Sequence, residues 1–394
     1  MSVPIHRPCP VCGAENRVLI HRQRFLEGPL GNGYDVVVCT ECGTGFADGI
    51  PPQATMDRYY SEQSKYTYEN ADGAESQWDL KRFEVTTDQI VPHLKSANVR
   101  ILDIGCATGG LLSVFKMRGF LNLVGTDPSP ACGTAAMRQH DVSVRVSTFA
   151  QLEGWKERFD LILMVGVLEH LADLQKAVRI ASGLLNEGGL LYCAVPDVEG
   201  LAECPNAPYQ QFSIEHVNFF SIKSLRRLMA ECGLTENHAW RWSVEWREGV
   251  WEPIASGLFK VSPSNYVEFD SSSKLALERY LAFSEAGDRE IMATIDGLID
   301  CQKSILVWGA GTLARRLLAN TKFAQANIAA FVDSNPHLQG QTLAGRPILR
   351  PTDIRQREEP ILICSITFVS EIASELRSRF GLSNRVLRLT SGSS

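Results

Sequence analysis

Three groups of residues in this 394-residue chain have types and spacings that can carry chemistry. Nearest the start, Cys9-Pro10-Val11-Cys12-Gly13 and Cys39-Thr40-Glu41-Cys42-Gly43 repeat the form Cys-x-x-Cys-Gly. Each loop can aim two thiolates at one point, and the glycine permits the turn that follows. Four thiolates suit the tetrahedral preference of Zn2+, which offsets their repulsion and leaves no open position for catalysis. A redox Cys-x-x-Cys needs only one pair beside a helix, so Cys9, Cys12, Cys39 and Cys42 are expected to hold a structural zinc. The second group is a glycine loop, Asp103-Ile104-Gly105-Cys106-Ala107-Thr108-Gly109, followed by Leu111-Leu112-Ser113. The third is Glu215-His216, within an aromatic loop that runs from Tyr209 to Phe220. A neutral imidazole there can remove a proton near neutral pH and so activate a poor nucleophile.

Each group needs elements to position it. Strands over 18–20 and 34–38 would complete a zinc ribbon, in which metal replaces a core too small to hold itself. In the glycine loop an apolar strand ends at Asp103, and Gly105 and Gly109 let the backbone approach a ligand closely. The spacing is Asp-x-Gly-x-x-x-Gly rather than Gly-x-Gly-x-x-Gly. The next strand, over 121–126, leads to Asp127, placed to accept hydrogen bonds from both ribose hydroxyls of an adenosine ligand. A strand over 142–146 leads to Phe149, a candidate cover for adenine. Further on come a buried strand over 159–164, then Leu168-Glu169-His170, a helix closing at 185–189, and a strand over 190–195.

Together these segments resemble the class I S-adenosylmethionine-dependent methyltransferases over roughly residues 75–235. Ala107 stands where many members of that family carry glycine. The resemblance implies a Rossmann-like core that binds S-adenosylmethionine through Asp103, Gly105, Ala107, Gly109, Asp127 and Phe149. It implies mainly architectural roles for Glu169 and His170. The order of cysteine pairs, methyltransferase core, Glu215-His216 with Phe219-Phe220-Ser221, and a last nucleotide-fold segment also resembles the sugar C-methyltransferases of deoxysugar biosynthesis. Those enzymes methylate C3 of a nucleotide-linked 4-keto sugar through an enolate. The resemblance implies His216 as the base and Glu215 as its sugar-binding or orienting neighbour. That family often has Tyr-His-Glu-His where this chain has Ser213-Ile214-Glu215-His216, so the tyrosine, a hydroxyl-binding or proton-handling group, is absent here. Methylation of oxygen or nitrogen on a glycan or small metabolite, and a non-catalytic donor-binding scaffold, remain open alternatives.

Beyond the core, residues 271–301 have the spacing of a long amphipathic helix. Then Val307-Trp308-Gly309-Ala310-Gly311-Thr312, followed by Asp333 after a strand over 329–332, repeats a nucleotide-fold signature in a unit of about 95 residues. Nucleotide-sugar docking or a purely structural role suits so small a unit better than a dinucleotide site. Trp240, Trp242, Trp246 and Trp251 read as a hairpin that packs a domain junction or stacks on a sugar. The tyrosine-rich stretch through Tyr59-Tyr60 and Tyr66-Thr67-Tyr68 is either a lid or a packing surface.

The expected organisation is an α/β protein with a zinc ribbon (1–60), a methyltransferase domain (61–262), a helical linker (263–300) and a small Rossmann-like domain (301–394). The net charge of −6 argues against nucleic acid as a partner. No apolar run is long enough to span a bilayer, and seven of the eleven cysteines are scattered as in a reducing compartment, so a cytoplasmic setting is expected.

Overall fold

The computed structural model describes residues 6–63, 75–204, 207–263 and 266–390. Beyond the first cysteine pair, strands β1 (Arg17–Arg24), β2 (Gly33–Cys39) and β3 (Gly45–Asp48) pair antiparallel. Both strands expected between the cysteine pairs are longer than their apolar stretches, because β1 and β2 stay paired from Arg17↔Cys39 to Arg24↔Gly33. Helix α1 (Gln53–Gln63) follows and carries Tyr59 and Tyr60, whereas Tyr66 and Tyr68 lie outside the described residues.

The middle of the chain alternates strands and helices. In order they are α2 (Gln77–Ile90), β4 (Ile101–Ile104), α3 (Gly110–Met117), β5 (Leu123–Asp127), α4 (Pro130–His140) and β6 (Val144–Val146). Then come α5 (Phe149–Leu152), β7 (Phe159–Val165), α6 (Leu174–Gly183), β8 (Leu185–Pro196), β9 (Asn218–Phe219), α7 (Ile222–Glu231), β10 (Leu234–Arg247) and β11 (Val250–Val261). Seven strands form one sheet in the order β10-β11-β8-β7-β4-β5-β6. The five from β8 to β6 are parallel, and β11 runs antiparallel to β8. Helices cover both faces, so alternate residues of one strand enter different cores: Leu161 and Leu163 face α2 and α3, while Ile162 and Met164 face α5, α6 and α7. The helix expected to close at 185–189 ends earlier, at Gly183. Residues 185–189 belong to β8, which shifts register between Phe159↔Leu185 and Leu161↔Leu190.

Helix α8 (Ser273–Cys301) spans two cores. Leu277 and Tyr280 pack with Tyr34, Val36 and Phe219, and Ile291, Ile295 and Leu298 pack under the last sheet. That sheet comprises β12 (Ile305–Trp308), β13 (Ile328–Val332), β14 (Thr342–Leu343), β15 (Arg346–Leu349), β16 (Ile361–Ile363) and β17 (Val386–Arg388), in the order β14-β15-β13-β12-β16-β17. Helices α9 (Thr312–Asn320) and α10 (Val369–Ser378) flank it. Trp240 packs with His238 at 4.5 Å between centroids, and Trp242 Nε1 donates to Ser256 Oγ at 3.1 Å. Trp246 meets Phe368 at 5.8 Å, with the Arg247 guanidinium 3.7 Å over the same ring. These three tryptophans pack the fold, and the third sits against Phe368 at the start of α10. No helix among the described residues is long and apolar enough to cross a membrane.

Candidate active site

The glycine loop lies at the carboxyl ends of β4 and β5, where open α/β sheets bind ligands. Gly105 N donates to Thr126 O at 2.7 Å, which fastens the loop to the neighbouring strand. Asp127 then receives Ala107 N on one carboxylate oxygen at 3.1 Å and Ser129 N on the other at 2.9 Å. Each oxygen keeps a lone pair for a further donor. Gly105 has φ +76, and a Cβ there would stand 2.7 Å from Val167 Cγ2, so this position needs glycine on two counts. Asp103 is buried on the strand next to that of Asp127, and burial, reinforced by the Asp127 charge, pushes its acid up to about 7. Phe149 opens α5 and is half-buried against the core.

Val167 also leads into the second half of the site. A single 3-10 turn, Leu168–His170, places Glu169 and His170 beyond the end of β7, next to β4. His216 comes from the loop before β9, and its ring meets that of His170 at 4.9 Å between centroids, edge to face. One ligand-capable atom from each of Glu169, His170 and His216 lies within 4.8 Å of the others. His216 Nδ1 is 2.9 Å from Gln211 Oε1, so Gln211 orients the ring. Glu215, expected to bind sugar or to orient that ring, turns its carboxylate to the Tyr59 hydroxyl at 2.8 Å, while its carbonyl lies 3.2 Å from His170 Nδ1. The Tyr60 ring packs edge-on to His170 at 5.7 Å. Glu169 and His170, expected to be architectural, are therefore grouped with the candidate base.

What holds the two loops together comes from the chain's first segment. Arg7 donates to Ala47 O, Ala172 O, Val217 O and Asn218 Oδ1 at 2.6 to 3.0 Å. Burial lowers its pKa to about 10, and all these acceptors answer the desolvated charge. Asn218 in turn donates to Leu168 O and Leu171 O at 2.7 Å, and Val217 N donates to Glu169 O at 2.8 Å. Strand β9 also pairs with β3, so the cysteine-bearing sheet and the His216 loop share backbone hydrogen bonds. Nothing in the pattern around Arg7, Gln211 or Asn218 marks them in the sequence, because their partners lie up to 211 residues away.

The cysteine pairs converge as their spacing requires. Cys9 and Cys42 sulfurs are 3.6 Å apart, as are those of Cys12 and Cys39. A tetrahedral ion with Zn–S bonds of about 2.3 Å has S···S edges of about 3.8 Å, which this set fits. Hydrogen bonding among the sulfurs, followed by burial, raises the Cys9 and Cys42 thiols, so the four do not ionise together without a cation. Gly43 (φ +81) allows the second knuckle to pass Asp270, whose carbonyl oxygen would stand 2.1 Å from a Cβ.

The sheet order and the acid-locked glycine loop define an open α/β nucleotide-binding domain of the class I methyltransferase type. Consistent with this, residues 72–238 match the family described as a methyltransferase domain, and the middle of the chain is an S-adenosylmethionine-dependent methyltransferase domain. Residues 301–386 match a family described as C2185-like, N-terminal. Among curated relatives, the chain is 39% identical over 98 residues to the ubiquinone biosynthesis O-methyltransferase of Azorhizobium caulinodans, covering 24% of this chain and 38% of that protein. It is 37% identical over 107 residues to the enzyme of that name from Agrobacterium fabrum, covering 26% and 42%. The matched segment thus spans about two-fifths of these relatives' length. Magnesium protoporphyrin IX methyltransferase from Synechocystis PCC 6803, solved with bound SAM, aligns over 52% of this chain and 96% of its own, with 12% identity and a TM-score of 0.39.

Proposed function

We propose that this protein transfers a methyl group from S-adenosylmethionine to C3 of a nucleotide-linked 4-keto sugar. The observation that carries the reading is the grouping of Glu169, His170 and His216 beside the donor loop, linked to it through Val167 against Gly105. The donor supplies an electrophilic methyl on a sulfonium. The chain supplies Asp103, Gly105, Ala107, Gly109 and Asp127 to hold it, with Phe149 toward its adenine. The sugar's carbonyl acidifies the neighbouring carbon, and His216 Nε2 takes that proton as the enolate forms. Gln211 orients the ring, and Tyr59 with Glu215 lines the acceptor side. The four cysteines hold zinc as a structural ion, and through β3, β9 and Arg7 it stiffens the loop that carries His216.

O-methylation is the second reading, favoured by the relatives named as ubiquinone biosynthesis O-methyltransferases. In it His216 removes a hydroxyl proton. Mass spectrometry of 4-keto nucleotide sugars incubated with protein and donor separates the two. One added methyl, with deuterium exchange beside the ketone, supports carbon methylation. Donor binding without sugar methylation moves the assignment to an oxygen acceptor. His216→Ala is expected to lower turnover at least about 100-fold with donor affinity preserved. Unchanged turnover removes His216 from the chemistry.

A further inference from the structure

Glu169, His170 and His216 hold more than proton transfer requires. Glu169 is only 4% exposed, and its Oε2 is buried without a hydrogen-bond partner among the described residues. An unanswered buried carboxylate oxygen is costly and calls for a proton or a cation. The two imidazoles are both turned one way. His170 Nδ1 faces the Glu215 carbonyl at 3.2 Å, and a carbonyl only accepts, so its N–H sits on Nδ1 and the lone pair on Nε2. For His216, the Gln211 amide nitrogen donates to Glu252 Oε1 at 3.3 Å, which aims Gln211 Oε1 at Nδ1. The lone pair of that ring is therefore also on Nε2. His170 Nε2 is 4.0 Å from Glu169 Oε1, and ligand atoms of all three residues fall within 4.8 Å of one another. Imidazoles that donate from one nitrogen to a fixed oxygen and offer the other to a shared point are what metal sites use.

We infer that Glu169, His170 and His216 bind a divalent transition-metal cation, separate from any ion held by the four cysteines. Two imidazoles and one carboxylate suit Zn2+, Co2+ or Fe2+, whereas Mg2+ and Ca2+ take oxygen ligands. Three protein ligands leave at least one position open for an acceptor oxygen. The inference deepens the function proposed above and rests on that reading for the acceptor. With the cation bound, His216 would be a ligand, the ion would supply Lewis acidity to the acceptor oxygen, and the acceptor's proton would pass to water. Without it, His216 is the proton acceptor.

The test uses the full-length protein, purified with zinc on its cysteines and dialysed against Co2+, with metals counted per chain and absorption spectra recorded. The expected result is one Co2+ per chain beside retained zinc, with weak d–d bands and no thiolate-to-cobalt charge transfer. Glu169→Gln and, independently, His170→Asn should each weaken Co2+ binding at least about 10-fold. Glu169→Gln is nearly isosteric, and unchanged donor affinity reports that its fold is intact. No second ion in the unaltered protein, cobalt seen only on thiolates, or both variants binding as tightly as the parent would overturn the inference. The ion is counted without donor or acceptor present. Failure here therefore leaves methyl transfer standing, and failed methyl transfer leaves a bound ion standing.

Discussion

The chain builds the same acid-locked glycine loop twice, once after β4 and once after β12. In the first, Gly105 N donates to Thr126 O and Asp127 receives loop and post-strand amides; in the second, Gly309 N donates to Val332 O at 2.8 Å. Asp333 there receives Ala310 N and Asn335 N, each at 2.8 Å. The surroundings differ. Where β4 carries Asp103, the matching position of β12 is Val307, and both are fully inside their sheets. The mouth of the second loop is also engaged by protein. Arg315 Nε donates to Ala310 O at 3.0 Å while its guanidinium reaches the carbonyls of Leu26 and Glu27 in the β1–β2 turn. The backbone device is thus common to both, and the side chains beside it differ.

The largest effect expected from this comparison concerns the two aspartates. Asp127→Ala removes the proposed ribose acceptor and the lock on Ala107 N together, and donor affinity by calorimetry should fall about 100-fold or more, since bonds to a charged acceptor contribute about 1.5–3 kcal/mol each. Asp333→Ala breaks the equivalent lock but should leave donor affinity within about twofold, because the proposed donor site is the first loop alone. An equal loss from both would mean that the second loop shares the donor.

A smaller effect separates Asp103 from Val307. Asp103 sits at about 7 in the free protein, against about 3.9 for an unfolded aspartate. The folded chain therefore keeps a proton that the unfolded chain releases. This contribution to stability is complete below about pH 4 and is lost as pH rises through about 7. A donor carrying positive charge favours the ionised acid, so its affinity should rise as pH rises through that same range, about tenfold between pH 6 and 8. Asp103→Asn should flatten the profile. A slope that survives the substitution would assign the titration to another group.

Much of this was legible in the sequence because the signals are local. Both glycine loops, both acids that follow them and the paired cysteines lie within short windows whose spacing reflects one turn or one strand-to-helix step. The long helix was legible for the same reason, since Leu277, Ile291 and Ile295 keep one face buried. What escaped was set by tertiary contact. Arg7 lies two positions before the first cysteine, yet its partners are at 172, 217 and 218. Gln211, rather than the adjacent Glu215, orients His216, because the loop folds back over five residues. The early end of α6 was hidden because Leu184 and Leu185 are apolar in helix and strand alike, and only the pairing with Phe159 decides between them.

The smallest expected effect tests whether the loops are interchangeable in backbone terms. Ala107 has φ +48, in the left-handed region, whereas Gly311, which matches it in the second loop, has φ −83, and a Cβ there meets nothing within 4 Å. Each loop therefore holds the residue that the other's conformation would suit. Left-handed backbone costs a residue with a Cβ about 1–2 kcal/mol, partly offset in Ala107→Gly by the greater freedom of glycine in the unfolded chain. The net gain should be up to about 1 kcal/mol in denaturant unfolding. Gly311→Ala should change stability by no more than about 0.5 kcal/mol, since the entropy gained is opposed by a poorer helix N-cap. If Ala107→Gly destabilises instead, the methyl is a packing contact of the donor loop, and the alanine is held there by its side chain rather than tolerated by its backbone.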